Sequence, residues 1–187
     1  MRSVEIIAVV PEIDLGTAFA TISDFGRYPA LVPDVVRSVT VEPAGPGDPV
    51  VSAWEVFFRN GILSWTEVDV LHPETATIDF EQTVGDFEEF SGGWRLTPFV
   101  GSGTAGVRVV FAAEFDFGVP SLASIVDPVA ERVLVETITE ILRGLFGTVL
   151  TLADSDGARP PAGSPVVVAD LPASGHPRSY PALRDIG

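Results

Sequence analysis

The sequence predicts an α+β domain: a curved antiparallel sheet wrapped around one long C-terminal helix, with a cavity between them. Three observations lead there. Between Val35 and Phe117 successive segments alternate apolar and polar residues, separated by short turns of Gly, Pro and Asn. From Ser121 to Phe146 the apolar residues recur at helical spacing instead. The chain has 187 residues, 46% of them hydrophobic and 20% charged, which suits one domain with a substantial core.

The elements follow in order. Ser3 to Pro11, SVEIIAVVP, is rich in β-branched residues and reads as a first strand. Asp14 is placed to cap a helix in which Ala18, Phe19, Ile22 and Phe25 share one side until Gly26 closes it. DFGRYPALVPDV, Asp24 to Val35, is then a bend, because Pro29 and Pro33 each remove a backbone donor and push the preceding residue towards extended geometry. That bend has Phe25, Tyr28 and Leu31 to bury. Strands are expected at Val35–Glu42, Val50–Phe58, Ile62–Leu71, Ala76–Val84, Glu88–Leu96 and Ala105–Phe117, with tight turns at Arg59–Gly61 and Ser102–Thr104. In the helix, Val129, Val133, Leu134, Ile138, Ile141, Leu142 and Leu145 form one stripe, and Pro128 begins or kinks it. Beyond that point Pro, Gly, Ala and Ser dominate, so residues 1–150 read as the domain and 151–187 as a tail.

Charge and composition narrow the function. Against 11 basic residues stand 26 acidic ones, a net charge of -15, and no basic cluster tracks a phosphate backbone, so nucleic acid is not an expected partner. No run approaches a membrane span, and the apolar IIAVV near the N-terminus is too short for a secretory signal. A cytoplasmic protein is the expectation. Without cysteine there is neither a thiol nucleophile nor a zinc–thiolate site, and His72 and His176 are too scattered to hold a metal.

DFGRYPALVPDV at Asp24–Val35, GDFEEFSGGWRLTP at Gly85–Pro98, VRVVFAAEFDF at Val107–Phe117 and the helix after them occur in an order that resembles the START-like helix-grip superfamily. Within it the resemblance is to the polyketide cyclase/dehydrase and coenzyme Q-binding branch, over roughly residues 3–147. The resemblance implies a hydrophobic small-molecule ligand in an internal cavity. It implies either cyclisation and dehydration of a polyketide-like chain without cofactor or metal, or, as the alternative, a lipid or quinone carrier. A homodimer stays open. Aromatase/cyclases of this type place arginines in the pocket, whereas here the corresponding strands carry Glu67, Asp69, Asp79 and Glu81.

Strand parity selects candidate site residues, since alternate side chains face the same side. Phe90, Trp94 and Leu96 form one apolar set, and Val109, Phe111 and Phe115 another, leaving Arg95 and Arg108 for solvent. Gln82 falls among Ile78, Phe80 and Val84, where an amide must find a partner or a ligand. In Ile62–Leu71 the two sets are Ser64, Thr66, Val68, Val70 and Trp65, Glu67, Asp69, Leu71, and the sequence leaves open which faces inward. If the second does, two carboxyls share a low-dielectric pocket and supply an acid or base near neutral pH. The candidates are therefore Glu67, Asp69 and Tyr28 for proton transfer. For ligand contact they are Phe25, Trp54, Trp65, Phe80, Gln82, Phe90, Trp94 and Phe111.

Overall fold

The computed structural model describes residues 1–58, 61–101, 104–119, 123–147 and 150–152. Most of the turns expected at Arg59–Gly61 and Ser102–Thr104 and nearly all of the tail lie outside the described residues. Strand β1 (Arg2–Pro11) leads into α1 (Leu15–Ser23), a single 3-10 turn (Phe25–Arg27) and α2 (Tyr28–Leu31). Six strands follow: β2 (Val36–Val41), β3 (Val50–Phe58), β4 (Gly61–His72), β5 (Thr77–Gly85), β6 (Glu89–Gly101) and β7 (Thr104–Asp116). Helix α3 (Ala123–Phe146) and a short strand β8 (Leu150–Leu152) complete the described chain.

The strands form one curled antiparallel sheet in the order β2-β3-β4-β5-β6-β7-β1-β8. Consecutive strands pair as hairpins from β2 to β7, and β1 closes beside β7 with Ile6 opposite Phe111. The chain therefore has to cross from the β1 side to the far edge at β2, and α1, the 3-10 turn and α2 make that crossing. Curvature has local causes. The β4–β5 register shifts between Thr66 and Glu67, and the β2–β3 register between Val36 and Ser38, as bulges do. On β6, Gly92 lies so close to β7 that a Cβ there would meet Ala113 Cα at 2.7 Å.

Asp14 caps α1 as expected, its Oδ1 accepting from the Thr17 N–H at 2.9 Å. The bend after it holds more helix than its prolines predicted. Pro29 stands in the first turn of α2, where a missing N–H is no loss, and so permits the turn it was expected to forbid. Pro128 lies inside α3, which begins at Ala123. β8, pairing Leu150 with Val9, was not anticipated.

The concave face of the sheet carries Val4, Ile6, Phe80, Phe90, Trp94, Val109, Phe111 and Phe115, all buried, and α3 meets it with Leu134, Ile138 and Ile141. Among the described residues no helix is long and apolar enough to cross a membrane.

Candidate functional site

The alternation of β4 is decided by its partner. In the β3–β4 hairpin Trp54 stands opposite Trp65 and Ser52 opposite Glu67. The two indoles stack, with ring centroids 5.9 Å apart and planes 3° from parallel. That contact fixes Trp65, and with it Glu67 and Asp69, on the concave face. Across β5, Trp65 faces Gly85, where a Cβ would come within 2.5 Å of the tryptophan's own Cβ. The bulge beside it lets Glu67 pair with Gln82 while Trp65 keeps that glycine.

A cavity of about 60 Å³ lies between sheet and helix. Its walls are Trp54, Trp65, Phe80, Phe90 and Trp94 from the sheet, Phe25 from the 3-10 turn, and Leu134, Thr137, Ile138 and Ile141 from α3. Into it open Glu67 and Asp69. A wider, shallow depression of about 1100 Å³ runs past Ser3, Ser91, Gly93, Arg95 and Glu131. It contains no buried titratable group, so the chemistry belongs to the smaller site.

Each carboxyl is held by a short hydrogen bond. Trp65 Nε1 donates to Glu67 Oε2 at 2.7 Å. Ser52 Oγ donates to Asp69 Oδ2 at 2.7 Å, and Trp54 Nε1 donates to that Ser52 Oγ at 2.8 Å. Among the described residues no ion pair reaches either carboxyl. Burial, and after it the neighbouring Asp69 carboxylate, pushes Glu67 up to about 8 against the indole N–H groups of Trp65 and Trp54. Burial likewise pushes Asp69 up to about 6, opposed by the Ser52 hydrogen bond. Glu67 is the more shifted of the two because the Asp69 charge adds to the effect of its burial. Groups this close titrate as a pair. Near neutral pH the pair retains a proton.

Three candidates sit differently from the sequence expectation. Tyr28 was read as a proton-transfer group. Its hydroxyl instead donates to the Ile22 carbonyl at 2.7 Å, and its ring packs edge-on to Trp54 outside the cavity lining. Its phenol is raised by burial and then by Asp69 and Glu67, which makes it a poor acid or base. Phe111 lies behind the wall, stacked on Phe80 and packed on Trp94. Gln82 donates from Nε2 to the Phe87 carbonyl at 2.8 Å, so its donor is committed while its buried Oε1 has no partner. Val84, expected inside with Gln82, is exposed.

Sequence reasoning missed Ser52, Phe87 and Thr137. Ser52 shares the parity of Trp54, and Thr137 lies one helical turn from both Val133 and Ile141, on the apolar stripe. Both were findable as polar residues on an apolar face. Phe87 had no such signal. It sits between β5 and β6, where it stacks on Phe90 at 4.6 Å and on Phe117 at 4.8 Å.

The family profile described as polyketide cyclase / dehydrase and lipid transport matches residues 12–141. No curated protein matches the chain. Among solved structures, a protein of Thermus thermophilus superposes with a TM-score of 0.67 at 18% identity, over 78% of this chain and 95% of its own. The Zhui aromatase/cyclase of a Streptomyces species gives 0.62 at 18% identity, over 78% and 92%. A START superfamily protein of Mycobacterium smegmatis gives 0.55 at 18% identity, over 78% and 94%. At these identities the likeness is one of fold.

Proposed function

Since the chain belongs to the polyketide cyclase / dehydrase and lipid transport family, we propose that it is a cofactor-independent cyclase or dehydratase acting on a hydrophobic, carbonyl-bearing small molecule. Glu67 is its acid and Asp69 its base. One observation carries the reading: two carboxyls with no cation paired to them among the described residues are buried in an aromatic cavity, where apolar side chains would make a more stable core. A fold retains such a pair for what it does.

The chemistry follows from the shared proton. Asp69 takes a proton from the carbon next to a substrate carbonyl, and the electron pair left behind forms an enolate. In ring closure that carbon attacks a second carbonyl, and Glu67 protonates the alkoxide that forms. In dehydration the enolate expels a β-hydroxyl, which leaves as water with the proton of Glu67. Either way Asp69 ends protonated and Glu67 ionised, and the pair resets by passing one proton back. Because both side chains project from one strand, removal and delivery occur on the same side of the substrate. The tryptophan and phenylalanine walls hold a flexible chain folded for the reaction.

At about 60 Å³ the cavity is well below the roughly 300–1,000 Å³ of ligand pockets, so holding the substrate requires α3 and the sheet to part. The otherwise apolar lining also supports a second reading, a carrier of a lipid or quinone. Glu67→Gln and Asp69→Asn separate the two when turnover and affinity for a β-hydroxy ketone are measured together. Lost turnover with retained binding supports the enzyme. Tight binding without turnover in the unaltered protein supports the carrier.

A further inference from the structure

The two carboxyls stand side by side on one strand, so something must decide which is the acid and which the base. Their immediate neighbours differ. Ser52 is fully buried, and its Oγ takes the Trp54 indole N–H, a group that can only donate. The serine's own hydrogen is thereby left for Asp69 Oδ2. On the other side, Gln82 is the cross-strand partner of Glu67, and its amide nitrogen is anchored by one N–H on the Phe87 carbonyl. Its buried carbonyl oxygen is left without a hydrogen. Each carboxyl has one donor that serves its charged form, Ser52 Oγ for Asp69 and Trp65 Nε1 for Glu67, and the difference between them is the unpartnered acceptor opposite Glu67, which serves a protonated carboxyl.

We infer that Ser52 and Gln82 are positioning residues that assign the roles: Ser52, oriented by Trp54, keeps Asp69 as the carboxylate, and Gln82 Oε1 is the acceptor set opposite the protonated Glu67. The inference rests on the acid/base reading of the pair. The remaining groups around the site do not impose the same asymmetry. From α2, Tyr28 is the titratable neighbour of both carboxyls, with its hydroxyl spent on the Ile22 carbonyl. From α3 the polar residue in the lining is Thr137, while Glu131, Arg132, Glu136, Glu140 and Arg143 lie outside it. Arg27 and Arg37 are exposed and pair with Asp24 and Glu55.

The test needs no substrate. Carboxyl ¹³C resonances of Glu67 and Asp69, assigned by their loss in Glu67→Gln and Asp69→Asn, are followed against pH together with the Trp54 indole N–H. In the unaltered protein Asp69 titrates in the lower step, and the Trp54 N–H shifts with that step because Ser52 links them. In Ser52→Ala the Asp69 step moves up by about one pH unit, and Ser52→Thr, which keeps the hydroxyl, restores it. Gln82→Leu moves the Glu67 step down. An indole N–H that ignores the lower step overturns the inference even if Ser52→Ala does not fold, and so does an Asp69 that titrates last. A pair that titrates as described in a protein without turnover leaves the inference standing and removes the enzymatic reading instead.

Discussion

The concave face of the sheet has two halves built on opposite principles. On β6, β7 and β1 it is wholly apolar: Phe90, Trp94 and Leu96, then Val109, Phe111 and Phe115, then Val4, Ile6 and Ala8. These side chains interlock, with Trp94 and Phe111 ring centroids 4.7 Å apart. On β3 and β4 the same face carries Ser52, Glu67 and Asp69: Ser52 Oγ donates across the strands to Asp69, while the indole N–H groups of Trp54 and Trp65 donate within their own strands to Ser52 and Glu67. Burial stabilises the first half and burdens the second, since a desolvated carboxyl without a cation is costly. The contrast teaches where function lies in a fold whose overall shape says little about it.

If that division is right, substitutions on the two halves differ in kind. The largest loss is expected in the apolar half, where Trp94→Ala should lower unfolding free energy by about 3–5 kcal/mol in chemical denaturation. Crowding that half is the next test. Gly92→Ala forces a methyl group against the Ala112 carbonyl and Ala113 Cα, and should cost about 1–3 kcal/mol in the same measurement. The smallest effect belongs to the convex side of the same strand. Arg95 is exposed, and Arg95→Ala should change stability by less than about 0.5 kcal/mol. Equal losses for Trp94→Ala and Arg95→Ala would break the comparison.

The apolar half was legible in the sequence because its strands are unambiguous. Phe90, Trp94 and Leu96 alternate with polar neighbours or glycine, so parity alone places them. β4 was not legible. Val68 and Val70 on one side weigh about as much as Trp65 and Leu71 on the other, and only pairing with Trp54 across the hairpin breaks the tie. That is tertiary information. Tyr28 was visible as an aromatic hydroxyl but not as one already committed, because its acceptor is a backbone carbonyl at the end of α1. The helical turns around Pro29 were hidden for a related reason: whether a proline ends a helix or starts one depends on where the preceding helix stops.

The claim that the β3–β4 half holds a desolvated carboxyl pair that keeps a proton is tested most directly by stability against pH, with the unaltered protein and Glu67→Gln compared from about pH 4 to pH 9. The sign is set by the raised carboxyl. Folding favours its protonated form, so the stability it contributes is full below the ordinary carboxyl value of roughly 4 and is lost as pH rises through its folded value of about 8. Glutamine is neutral throughout. The two proteins should therefore melt at similar temperatures near pH 4 and diverge steadily above it, with Glu67→Gln the more stable at pH 8. Melting curves that run parallel across the whole range would contradict the account.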